Sequence, residues 1–217
     1  MQISASQVKQ LRKQTGAGMM ACKSALVEAA GDLDQAVTIL RTKGLAAAAK
    51  KSGRTTVEGA VLSYIHAGGK IGVLVEVNCE TDFVAKTDDF QGLIRDIAMH
   101  VAASRPIWIR REQVPADICE KESKIFRDQA RATGKPENVI EKIIAGKMDR
   151  FYQDACLLDQ PFVKDPDHSV QAIIHAAVAK LGENIQVNRF ARFELGEGQS
   201  QVADAAPDEK AENTASH

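Results

Sequence analysis

Apolar positions in the first fifty residues recur at helical spacing in three separate runs. Val8 and Leu11 share one face, Met19, Cys22, Leu26 and Ala30 a second, and Leu33, Ala36, Val37 and Leu40 a third. Each run carries its own punctuation. Ser4 with Gln7 fits a capping box, Asp32 with Gln35 caps the third run, and Thr15-Gly16-Ala17-Gly18 and Gly31 break the pattern. Gly44 reads as the last C-terminal stop. The pattern predicts a three-helix bundle over residues 1–50, of the size of a ubiquitin-associated domain.

Residues 45–56, LAAAAKKSGRTT, lose the periodicity and read as a solvated linker. Alternation takes over in Val57–His66 and Ile71–Cys79, which flank Ala67-Gly68-Gly69-Lys70 as a β-hairpin would. Helical spacing returns in Asp89–Ser104 and Ser169–Leu181, and Asn184–Leu195 alternates as a third strand. Helices on one face of a small antiparallel sheet make an α+β core over residues 51–198. Within it, Pro115–Gly134 and Pro136–Tyr152 form a charge-rich helical hairpin, residues 115–152, that projects. Its expected apolar face is Ile118, Ile125 and Ala132 against Val139, Ile143 and Met148. Residues 199–217 are polar and predicted to be a disordered tail.

The net charge of −1 supplies no global field toward nucleic acid or anionic lipid. Lys50, Lys51 and Arg54 have no aromatics interleaved for base stacking, so direct nucleic-acid binding is not expected. No apolar run approaches the ~20 residues of a membrane helix, and the N-terminus lacks the apolar stretch of a signal peptide. A cytoplasmic protein without membrane contact is expected. Cys22, Cys79, Cys119 and Cys156 form no C-x-x-C pair, and the five histidines show no metal-ligand spacing. Phosphate-loop, dinucleotide and nucleophile-elbow motifs are missing from the sequence. The expectation is a binding protein that is no enzyme and holds no cofactor, metal or nucleotide of its own.

One stretch resists a bland reading. Asn78–Lys86, NCETDFVAK, leaves the second strand and sets Phe83 beside Asp82. Phe83 could tuck under the sheet edge while Asp82 caps the next turn. Alternatively it is a presented wedge, an aromatic anchor for a partner's pocket. The residues alone leave both open.

Several segments resemble bacterial elongation factor Ts: LRKQTGAGMMACKSAL (Leu11–Leu26), EAAGDLDQAV (Glu28–Val37), SYIHAGGKIGVLVEV (Ser63–Val77), NCETDFVAK, IAMHVAASRP (Ile97–Pro106), QPFVKDP (Gln160–Pro166) and RFELGEG (Arg192–Gly198). They run in family order and leave out little but the tail.

The resemblance implies a guanine-nucleotide exchange factor for elongation factor Tu, the GTPase that delivers aminoacyl-tRNA. It implies that the N-terminal module docks on the nucleotide-binding domain through Leu11, Arg12, Thr15, Gly16, Met19 and Met20. It makes Phe83 the wedge that disturbs the magnesium site, with Asp82 in support and Thr81 and Val84 completing the turn. His66, at the family's S-Y-x-H position, is implied to contact another domain. Longer family members spread these motifs over two core subdomains; this chain has one, so a homodimer is expected. The rival class is a non-catalytic interaction module whose bundle binds ubiquitin-like or nascent-chain partners. Acceleration of GDP release separates the two.

Overall fold

A computed structural model describes residues 3–197 of the chain; the expected tail, 199–217, lies outside the described residues. Three helices open the fold: α1 (Ala5–Thr15), α2 (Met19–Glu28) and α3 (Leu33–Lys51). Their starts follow the sequence signals. The Ser4 hydroxyl accepts from Gln7 N–H while the Gln7 side chain accepts from Ser4 N–H, and the Asp32 carboxylate accepts from Gln35 N–H at 2.8 Å. Val8, Leu11, Cys22, Ala25, Leu26, Ala29 and Ala36 close a core of their own.

α3 departs from expectation. Gly44 does not stop it; the helix continues through Gly44 to Lys51, so the residues read as a linker are largely helical. The boundary expected after residue 50 therefore falls one residue before the end of α3. Tertiary packing explains the difference. Ala48 is buried in the main core, and a β-carbon at Gly44 would sit 3.5 Å from Ala179 Cβ on a later helix. Packing on that helix outweighs the roughly 1 kcal/mol that glycine costs inside a helix.

The main core is an antiparallel sheet in the order β1 (Glu58–Ile65), β2 (Ile71–Cys79), β5 (Gln186–Glu194). The three strands lie within two residues of the expected bounds. Gly59 is required where it stands: φ is +143°, and a β-carbon would meet Val77 O at 2.2 Å. Val73, Val75, Val77 and Cys79 are buried on one face against α5 (Asp88–Ser104), and α8 (Val170–Leu181) packs on both α5 and α3. The α+β expectation holds. The other face carries Val61, Ile65, Leu74 and Phe193 exposed. Ile65 and Phe193 flank Gly72 in one row, with Leu74 in the next.

A single helical turn, α4 (Asp82–Ala85), lies between β2 and α5. After α5 come α6 (Ala116–Arg131) and α7 (Glu137–Ala155), which pack on each other, then the short pair β3 (Pro161–Phe162) and β4 (Asp165–Ser169). The hairpin's core is Ala130, Ile140 and Ile144, lined by Phe126, Ile143 and Met148. Ile143 and Met148 match the expected face, whereas Ile125 and Ala132 are exposed. In α7 the buried stripe is set by Ile140 and Ile144 rather than Val139, because adjacent isoleucines leave the helical phase ambiguous by one residue.

His100 and Gln160 are two of the three buried polar residues among the described residues. His100 Nδ1 accepts from Val163 N–H (3.2 Å), so its Nε2–H donates to Gln160 Oε1 (2.9 Å). The Gln160 amide then donates to Ser104 O and Asp154 O, tying α5 to the end of α7. With the imidazole neutral, each side-chain polar atom of this pair has a partner.

Candidate partner-binding site

The turn that leaves β2 is built by two threonine caps six residues apart. Thr81 Oγ1 accepts from Val84 N–H (3.4 Å) to start α4, and Thr87 Oγ1 accepts from Phe90 N–H (3.2 Å) to start α5. α4 thus ends after one turn and the chain changes direction. Ala85 is buried in the main core and Val84 packs against it. Successive helical residues point about 100° apart, so anchoring 84 and 85 turns 83 outward. Phe83 is 81% exposed. The reading in which it tucks under the sheet is overturned, as is the capping role for Asp82. Thr81 is the cap, and Asp82 occupies the first helical position. There the Asp82 carboxylate pairs with Lys86 at 2.6 Å, a hydrogen bond that holds its pKa below, and that of Lys86 above, the ordinary value.

Residues remote in sequence brace this turn from beneath. Glu183, between α8 and β5, accepts from Glu80 N–H (3.1 Å), Thr81 N–H (3.0 Å) and the Thr81 hydroxyl (2.6 Å). In return Glu80 Oε1 accepts from Asn184 N–H at 2.7 Å. The buried Asn184 amide donates to Ser52 O (3.3 Å) and Arg54 O (2.8 Å), where the chain leaves α3. Cys79 donates its thiol to Thr81 O at 3.1 Å; burial, then the Glu183 charge, pushes its pKa up.

The bundle residues divide. Arg12, Met19 and Met20 are exposed on adjoining ends of α1 and α2, with Thr15 and Gly16 half-buried between them. Thr15 shapes the turn: its hydroxyl donates to Leu11 O and accepts from Ala17 N–H. Gly16 takes the left-handed conformation (φ +65°) that ends α1. Leu11 is corrected. At 0% exposure it is the centre of the bundle and presents no surface to a partner. Its i, i+3 partner Val8 already signalled that role.

Lys180 lies between this turn and α5. A β-carbon on Gly16 would meet the Lys180 side chain at 3.7 Å, and Lys180 Nζ pairs with Asp89 Oδ1 at 2.7 Å. Asp89 is in the first turn of α5, directly after α4. The bundle turn and the Phe83 turn are thereby placed against neighbouring elements.

His66 stands apart. It closes the β1–β2 hairpin, donating its N–H to Ile71 O, and its ring Nδ1 lies 3.1 Å from the Tyr64 hydroxyl. Phe83 follows the far end of β2, so nine strand residues, roughly 30 Å at 3.3 Å each, separate the two. Among the described residues no group of three or more His, Cys, Asp or Glu could hold a metal ion, and no helix is long and apolar enough to cross a membrane. The arrangement is suited to contact: an exposed aromatic on a braced turn, an exposed bundle edge and a histidine at a distance.

Comparison with known proteins identifies the family. The family model described as elongation factor TS matches residues 1–197. The chain is 63% identical over 198 residues to elongation factor Ts of Geobacter sulfurreducens, covering 91% of this chain and 92% of that one. It is 61% identical over 197 residues to elongation factor Ts of Anaeromyxobacter dehalogenans, covering 91% and 90%. The same protein from Desulforamulus reducens is 59% identical over 197 residues, covering 91% of each chain.

Proposed function

The chain belongs to the elongation factor Ts family and is a translation elongation factor, and on that premise we propose that it acts as a guanine-nucleotide exchange factor. It binds elongation factor Tu carrying GDP and speeds GDP release by disturbing the Mg²⁺ site. The carrying observation is Phe83, a large aromatic held 81% exposed on a turn that is capped, anchored and braced. Exposing such a residue on a stabilised turn costs solvation, and a partner pocket recovers it.

Mg²⁺ holds nucleotide phosphates through hard oxygen ligands in strict octahedral geometry. A wedge that shifts the elements carrying those ligands weakens nucleotide retention without touching the nucleotide. Each tenfold gain in release needs about 1.4 kcal/mol of differential binding. The factor supplies it by holding the nucleotide-free partner more tightly, and reciprocity makes nucleotide weaken the factor's own hold equally. No bond is made or broken, so no residue acts as a catalyst. Arg12, Thr15, Gly16, Met19 and Met20 dock on the nucleotide-binding domain, Thr81, Asp82, Phe83 and Val84 form the wedge, and His66 meets a second domain. The setting is the cytoplasm, where translation runs.

Stopped-flow release of a fluorescent GDP analogue from elongation factor Tu tests this. Substoichiometric chain should accelerate release with multiple turnovers. Release that stays at its intrinsic rate with equimolar chain overturns the proposal.

The same reading includes a homodimer. The open sheet face, with Ile65, Leu74 and Phe193 exposed across three strands, is apolar enough to cover a second copy by face-to-face packing. A two-fold axis makes the patch self-complementary. Sedimentation equilibrium at micromolar concentration should give a dimer, and Leu74→Glu a monomer. A monomeric parent chain would refute it.

A further inference from the structure

We infer that Glu183 is a positioning residue for the Phe83 turn, and that Asn184 beside it fixes that turn relative to the end of α3. The inference rests on the exchange reading above and adds what sets the wedge's angle.

One turn of helix has no stability of its own, because nucleation fixes several residues for a single hydrogen bond. The direction of α4 therefore depends on what holds its first residue. Thr81 has one hydroxyl proton, and it is given to Glu183 Oε1 at 2.6 Å. The hydroxyl lone pairs are then left facing Val84 N–H, which is the cap that starts α4. The other Glu183 oxygen takes the N–H groups of Glu80 and Thr81. A single carboxylate thus fixes both the backbone entering the turn and the rotamer of the residue that caps it. The two carboxylate oxygens offer acceptors to all three donors at once. A glutamine offers one carbonyl oxygen and turns an NH₂ toward a donor.

Glu183 is itself held. It follows Gly182, the left-handed C-cap of α8. Its neighbour Asn184 is 3% exposed and spends its amide on Ser52 O and Arg54 O. Gln186 adds a hydrogen bond to Ser52 O at 3.1 Å. Glu80 and residues 183–184 are reciprocally bonded, each acid taking main-chain N–H from the other segment. The base of the wedge, the exit of α3 and the start of β5 meet at this joint. Through α3 the bundle's docking edge and the wedge keep one relative orientation.

The test uses the full chain and a fluorescent GDP analogue on elongation factor Tu. Glu183→Gln should lower the release rate at saturating factor about tenfold, the scale of one charge-assisted hydrogen bond. The half-saturating concentration should stay within about twofold, since the docking edge is untouched. Thr81→Val should cause a similar loss, and the double variant should lose no more than the worse single, because both break one unit. Hydrogen–deuterium exchange on the isolated chain reads the joint without the partner. Glu183→Gln should deprotect the amides of Glu80, Thr81 and Val84 while α5 and α1 stay protected. An unchanged saturating rate, additive losses, a loss that tracks global melting, or unchanged protection at 80, 81 and 84 overturns the inference. If the parent chain fails to accelerate release, the exchange reading falls, and the amide arm still decides whether Glu183 positions the turn.

Discussion

Phe83→Ala and Phe90→Ala remove the same side chain seven residues apart and should fail in opposite ways. Phe90 has 0% exposure and lies at the start of α5 in the main core. Its truncation should cost about 3–5 kcal/mol of stability. For a domain of this size each kcal/mol shifts the melting temperature by roughly 2–4 °C, so a drop of about 10 °C is expected. Phe83 is 81% exposed, leaving under a fifth of its surface to be lost on truncation. Its change in stability should stay within about 0.5 kcal/mol, as for an ordinary surface position. The effect on exchange reverses. A central aromatic anchor carries roughly 2–4 kcal/mol of binding, a fall of about 30- to 1,000-fold in release per encounter. Scanning calorimetry and stopped-flow nucleotide release on the two variants give the comparison. A Phe83→Ala protein that melts like the parent and still exchanges like the parent would refute the wedge. A large drop in its melting temperature would refute the exposed turn.

Three further outcomes follow from other parts of the molecule. His66→Ala should weaken binding to elongation factor Tu while leaving release at saturating factor near normal, because β2 separates His66 from the Phe83 turn; a lowered saturating rate in a titration would place His66 in the release step. His100 is kept neutral by burial, which lowers its pKa, while the unfolded chain takes up a proton below about pH 6.5, so stability should fall as pH drops through that value, by up to ~1.4 kcal/mol per pH unit. His175 is shifted the same way by burial, so denaturant melts between pH 7.5 and 5 should show a shallower slope, though not a flat one, for His100→Gln. Gly44→Ala should stabilise the chain by roughly 0.5–1 kcal/mol, since the added β-carbon makes an ordinary 3.5 Å contact with Ala179 Cβ inside a continuous helix; a lower melting temperature would mean that α3 and α8 need closer approach than that contact implies.

Local signals in the sequence carried far. Ser4, Asp32 and Gly16 punctuate helices as their types suggest, and alternation places β2 at its observed bounds. The failures share a cause. Gly44 is a local stop signal overruled by a neighbour more than a hundred residues later, and the face of α7 is ambiguous by one residue because two adjacent apolar pairs, Val139-Ile140 and Ile143-Ile144, fit two registers. The orientation of Phe83 is set by the packing of Val84 and Ala85, which its own sequence does not reveal, since burial of one residue in a single turn fixes the others. Glu183 and Asn184 lay beyond reach. Gly-Glu-Asn before a strand looks like any polar loop, and its bonds to residues 80 and 81 join segments about a hundred positions apart.

α3 runs without interruption for 19 residues, about 28 Å, from the bundle into the core. Modules on a flexible tether search for their second site at an effective concentration set by the tether, and they tolerate a range of site separations. A rod removes the search and the tolerance together. On the exchange reading proposed above, the docking edge and the aromatic turn then act as the two jaws of a caliper set to one opening. A partner whose two receiving surfaces stand at that spacing is gripped at both, while a conformation that moves them a few ångströms apart is held at one jaw only. On the exchange reading, selectivity among states of the same partner would come from the length of a helix as much as from the chemistry at either end.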